Sequence, residues 1–60
     1  MEADFAYFNR RAHEERVAAM KALHPLARQA HIELAKRYDE LAGAIAAHER
    51  LITRDLVGVL

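Results

Sequence analysis

The sequence LARQAHIELAKRYDELAGAIAAHERLI, residues 26–52, decides the fold. Apolar and histidine side chains recur in it at alternating steps of four and three residues, which is the spacing of one face of an α-helix. These residues are Ala27, His31, Leu34, Tyr38, Leu41, Ile45, His48 and Ile52. A helix of this length is roughly 40 Å long at 1.5 Å per residue. Because such a helix must bury its apolar face, the sequence predicts that it packs against another element.

His24 and Pro25 separate this helix from an earlier one. Residues 5–23 contain neither glycine nor proline. Proline inside a helix loses a hydrogen bond, whereas it suits the first turn of a new helix. We therefore predict a helix over residues 5–23, a turn at 24–25 and a helix over 26–54, all within a single domain, 1–60. One long helix kinked at Pro25 is the alternative, since no glycine precedes Pro25 to end the first helix.

The apolar side of the first helix is interrupted near its centre. Its apolar members are Phe5, Phe8, Ala12, Ala19 and Leu23. Glu15 and Arg16 occupy positions that should also face inward, so we expect them to snorkel or to pair with opposite charges across an interface. Asp4 is the expected N-cap of this helix.

The chain is short for an independent fold. It has 60 residues and no cysteine, so no disulfide can stabilise it. Thirteen residues are alanine, which favours helix formation but adds little core volume. We therefore predict an all-α, two-helix hairpin that dimerises into an antiparallel four-helix bundle. The expected interface residues are Phe5, Phe8, Leu34, Tyr38, Leu41, Ile45 and Ile52. Gly43, among alanines, is expected to mark a close approach between helices.

Charge argues against several classes of partner. Nine Lys and Arg residues balance nine Asp and Glu residues, so a nucleic-acid partner is not expected. No apolar run approaches the length of a membrane span, and the acidic N-terminus, with Glu2 and Asp4, lacks the basic region of a signal peptide. The sequence predicts a cytoplasmic protein.

The histidines are the main candidates for chemistry. His31 and His48 lie on the apolar stripe, and we interpret them as buried or half-buried structural residues. If they are buried in the neutral form, stability should fall on acidification through roughly pH 6–5. A metal site formed by histidines of two chains is the alternative. The sequence has no serine or cysteine nucleophile, so we predict no enzyme activity, no catalytic residue, no metal ligand and no cofactor.

Two resemblances concern the helical pattern. ELAKRY (33–38) followed by AIAAHER (44–50) resembles a tetratricopeptide repeat, but the second segment follows too soon and no second repeat exists. YFNRRAHEE (7–15), Pro25 and ARQAHIELAKRY (27–38) resemble small uncharacterised bacterial helical proteins. That resemblance implies a small helical protein of bacterial type and brings no activity with it.

These observations favour a non-enzymatic helical module for protein–protein interaction or self-assembly. The expected partner is a second copy of the chain, forming a homodimer, and a helix docked from another protein is the alternative. Two further classes stay open: a metal-binding protein that uses interchain histidines, and a helical protein associated with nucleic acid.

Overall fold

The computed structural model describes the backbone of residues 2–59 and the side chains of residues 2–52. Over these residues it consists of two helices, α1 (Asp4–Lys21) and α2 (Pro25–Val59), without strands. Phe8, early in α1, stacks on Tyr38, whereas Glu15, later in α1, is bonded to His31, earlier in α2, so the helices are antiparallel. The all-α hairpin is thus confirmed, and the alternative of one kinked helix is wrong.

The turn between the helices comprises Ala22, Leu23 and His24. Ala22 has extended backbone angles, φ −69° and ψ 128°, which end α1. Pro25 is the first residue of α2, where its missing N–H costs nothing. The Leu26 N–H donates to Nδ1 of His24 at 3.1 Å, so the imidazole is the N-cap of α2. The predicted turn at 24–25 is therefore shifted, because α1 ends at Lys21.

The start of α1 differs from the prediction. Ala3 is the N-cap, and its carbonyl accepts a hydrogen bond from the Tyr7 N–H at 2.8 Å. Asp4 is the first helical residue, and no side chain caps this end. The negative charge of Asp4 instead interacts favourably with the positive N-terminal end of the helix dipole. The prediction that Asp4 is the N-cap is wrong.

Alanines line the contact between α1 and α2. Ala12 and Ala19 of α1 and Ala35 and Ala42 of α2 are buried, and each pair is spaced by seven residues. We call these four residues the alanine seam. No large side chain among the described residues is fully buried. Small side chains let two helix backbones approach closely, so this contact depends on shape rather than on apolar volume.

The buried side of α2 is turned from the predicted stripe. Leu34 and Leu41 precede Ala35 and Ala42 by one residue, which corresponds to a rotation of about 100° around the helix. Both leucines are exposed, whereas His31, Tyr38 and Ile45 are half-buried and belong to both faces. A second group of stripe positions, Ala27, His48 and Ile52, is also exposed. The stripe is therefore not buried as a whole within the hairpin: the helices meet along alanine, and Leu34 and Leu41 lie outside this contact.

The two helices differ greatly in length. α1 has 18 residues and α2 has 35, so they measure about 27 and 52 Å. The chain extends 55 Å along its longest axis. The C-terminal part of α2 therefore extends past the start of α1. Helical backbone continues to Val59, beyond the predicted end at 54; residue 60 and the side chains of 53–60 lie outside the described part.

Gly43 lies on an open part of α2. A Cβ atom added to it would meet nothing within 4 Å. The close helix approach expected at this glycine is therefore not present within the hairpin.

Candidate functional site

A buried carboxylate connects the two helices. Glu15 is only 7% exposed, and both of its oxygens accept hydrogen bonds. Nδ1 of His31, on α2, donates to Oε1 at 2.6 Å. Nη2 of Arg11, one turn earlier on α1, donates to Oε2 at 2.8 Å. The expectation that Glu15 would pair across an interface is confirmed within the hairpin.

Arg16 meets the same expectation at the surface. Its Nη1 lies 2.8 Å from Oδ2 of Asp39, and both side chains are half exposed. Exposed ion pairs of this kind contribute about 0–1 kcal/mol, so this contact orients α1 on α2 more than it stabilises the fold.

Electrostatics favours the charged form of Glu15. The hydrogen bond from His31 and then that from Arg11 lower the pKa of Glu15 below its ordinary value, although burial opposes this shift. Glu14 behaves similarly: the hydrogen bonds from Arg11, at 2.6 Å, and from Arg10 lower its pKa. Arg10 also bonds to Glu2 at 3.1 Å, which extends the charged network along α1.

Aromatic rings adjoin this network. The rings of Phe8 and Tyr38 stack with centroids 6.1 Å apart, and Tyr7 meets the edge of Phe8 at 5.4 Å. The guanidinium of Arg11 lies 5.2 Å from the centroid of the Tyr38 ring. Arg11 therefore joins the buried carboxylate to the aromatic contact, and the first half of α1 is held to the middle of α2.

The Glu15–His31 pair orients the imidazole. Histidine that donates one ring N–H to a carboxylate has its other nitrogen available, as in metal sites and in nucleophile-activating pairs. The sequence has no serine or cysteine to activate, and the described residues contain no group of three metal-ligating side chains. The pair is a polar link between α1 and α2.

The other histidines are dispersed. His24 caps α2, and His13 and His48 are exposed. The prediction that His48 is buried or half-buried is wrong, because α1 has ended before this part of α2. His31 is half-buried and bonded to a carboxylate, and His48 is exposed, so the condition of the predicted acid sensitivity, two buried histidines, is not met.

A row of large apolar side chains on α2 is only partly covered within the hairpin. Leu34, Leu41 and Ile52 are 43, 40 and 48% exposed, and Ile45 between them is half-buried. We call these four residues the open face. Tyr38 borders it and faces α1 as well. All five are among the predicted interface residues, as are Phe8, half-buried against Tyr38, and Phe5, which is exposed.

A second apolar group surrounds the turn. Met20, Leu23 and Leu26 are strongly exposed, and Leu23 reaches 96%. Beside them lies an open depression of about 330 Å³, lined by Arg16, Ala19, Met20, Arg28 and Ile32. Sequence reasoning did not identify this group, and it also missed the alanine seam and the His24 cap. The sequence feature that indicates this cap is His24, a polar residue directly before Pro25, where α2 begins.

The class of this protein follows from its fold and open face: it is a small helical hairpin with an apolar helix surface available for contact. The chain matches no protein-family model, and no curated protein or solved structure is similar to it. Within the described residues, neither helix has an apolar stretch long enough to cross a membrane.

Proposed function

We propose that this protein is a non-enzymatic interaction module that self-associates through the open face of α2. The observation that carries the proposal is the distribution of side-chain size around α2. Alanine faces α1, whereas leucine and isoleucine occupy the side that α1 leaves uncovered. A helix whose bulkiest apolar residues face outward gains most of its apolar burial from a partner.

The exposed area supports the proposal. The chain exposes 4975 Å², whereas a folded monomer of its mass, 6.8 kDa, typically exposes about 4,000 Å². The excess of about 1,000 Å² is similar to the 800 Å² that each partner buries in a standard interface. A second hairpin can cover this excess.

A homodimer is the assembly we propose. A two-fold axis is the commonest solution for a single self-complementary face, and two hairpins then supply four antiparallel helices. Tyr38, at the border of the open face, stacks on Phe8 of α1. This contact helps to fix the rotation of α2, and with it the direction in which the open face points. A helix from another protein, docked on the same face, is the competing occupant.

Sedimentation equilibrium with paired variants tests this function. Leu41→Asp introduces a charge on the open face, and Leu23→Asp introduces the same charge at the exposed turn. We expect the unmodified protein and Leu23→Asp to be dimers and Leu41→Asp to be monomeric or unfolded. A fully helical unmodified protein that stays monomeric at high concentration would refute self-association. In that case, recovery of a different protein in a pull-down that Leu41→Asp abolishes would favour the docked-helix alternative.

A further inference from the structure

We propose that the second copy binds in one staggered antiparallel register, with α2 against α2 and the two-fold axis passing near position 43. In this register Leu34 contacts the partner's Ile52, and Leu41 contacts the partner's Ile45. The inference rests on the proposed self-association and adds to it which parts of the two chains overlap.

The open face is self-complementary about this position. In an antiparallel two-fold pair, residues equally distant from the axis lie opposite each other. Residues 34 and 52 are each nine residues from 43, and residues 41 and 45 are each two residues from it. Every leucine of the open face thus lies opposite an isoleucine, and Tyr38 lies opposite the partner's His48. This register covers both exposed leucines. No apolar residue of the open face then lies opposite a charged residue of the partner.

The unequal helix lengths favour the same stagger. α1 covers only the first part of α2, and the rest of α2 projects beyond it. With the axis near position 43, the projecting part of each α2 lies along the first half of the partner's α2. The same contact therefore covers the exposed Leu34 of one copy and the exposed Ile52 of the other.

The charge of α1 disfavours complete overlap of the four helices. Tyr38 lies four residues from Leu34 and three from Leu41, so it shares their side of α2. The guanidinium of Arg11 lies on the Tyr38 ring, and Arg11 and Glu14 therefore form the α1 border of this side. Complete overlap would press two such charged borders together and desolvate them, which is costly. The stagger moves the two α1 helices to opposite ends of the dimer, so three helices overlap at each end and the four helices do not overlap completely as in a regular bundle.

The test uses single-cysteine variants of the cysteine-free chain. Leu34→Cys and Ile52→Cys are prepared separately, unfolded, and mixed in the unfolded state. The mixture is then refolded and exposed to mild oxidant. In the staggered register, only the mixed dimer brings the two thiols together. Because a thiol held in a dimer has an effective concentration near millimolar, we expect the mixture to form disulfide about tenfold faster or more than either variant alone.

Leu23→Cys, at the exposed turn, reports the background rate of random encounters. Circular dichroism verifies that each variant is helical, and Tyr38→Cys mixed with His48→Cys provides a second pair if Ile52→Cys does not fold. Faster disulfide formation by Leu34→Cys alone would overturn the stagger, since that residue lies near its own copy in a completely overlapped or parallel dimer.

The two proposals fail differently. If sedimentation shows a dimer but the mixed pair reacts at the background rate, the register is refuted and self-association stands. If the protein is monomeric and every variant reacts at the background rate, both are refuted.

Discussion

Replacing Ala35 by leucine tests whether the alanine seam determines how closely α1 and α2 pack. Ala35 is 4% exposed, and the other buried apolar residues of the described chain are also alanines. Leucine adds three carbon atoms at a point where two helix backbones meet. Overpacking of this kind costs about 1–3 kcal/mol. Helix propensity adds almost nothing, since alanine and leucine are both strong helix formers.

The cost is large relative to the total stability. A single core in a chain of this size rarely supplies more than about 3–5 kcal/mol. The melting temperature of a domain of this size changes by about 4–8 °C per kcal/mol. We therefore expect Ala35→Leu to lower the melting temperature by about 4–24 °C, measured by circular dichroism at 222 nm.

Ala47→Leu is the matched control. Ala47 is exposed on the same helix, so the same substitution there leaves every contact of the alanine seam unchanged. We expect its melting temperature to stay close to that of the unmodified protein at equal concentration. An Ala35→Leu protein as stable as Ala47→Leu, or more stable, would refute the view that close backbone approach holds the hairpin together.

Three further changes test single contacts. The pKa of Glu15 is lowered in the folded chain, so the charged carboxylate stabilises the fold fully above pH 4.5, its ordinary pKa, and this stabilisation is lost as the pH falls below that value. The melting temperature should therefore fall less between pH 7 and 3 in Glu15→Gln than in the unmodified protein. Equal decreases in the two proteins would contradict this. His24→Ala should reduce stability to urea by about 1 kcal/mol through loss of the cap on Leu26, and His24→Asn should recover most of it; equal losses in both would indicate that His24 stabilises the turn in another way. Gly43→Ala should raise stability by about 0.5–1 kcal/mol, because the added Cβ meets no neighbour and alanine is the better helix former; a decrease would reveal a close contact at Gly43 in the assembled protein.

The polar link at Glu15 has a consequence for specificity. Four alanines of similar size allow α1 to slide along α2 with little change in packing. A slip by one helical turn would separate Glu15 from His31 and leave a buried carboxylate with fewer partners, which is costly. The carboxylate therefore selects one position of α1, and that position determines how much of α2 is left uncovered.

The sequence by itself determined the secondary structure. Helix propensity and the position of proline are local properties, so they predict two helical segments with a break near Pro25; that the break is a turn and not a kink is shown only by the non-helical Ala22, Leu23 and His24. The buried charge of α1 was also predictable, because periodicity places Glu15 among apolar residues; the same reasoning was wrong for Arg16, which is exposed. Their partners were not legible: His31 lies 16 residues from Glu15 in the sequence, and no local pattern joins them.

The tertiary structure decided which side of α2 meets α1. Periodicity places Leu34 and Leu41 on one apolar stripe that must be buried, but it does not show which side of α2 faces α1 and which faces a partner. Two helices in direct contact approach most closely where side chains are smallest, and here Ala35 and Ala42 meet α1. The turn between Lys21 and Pro25 and the Glu15–His31 bond then fix the rotation of α2. The leucines remain outside because the geometry of one hairpin selects its contact by shape, while their apolar surface is left for another chain.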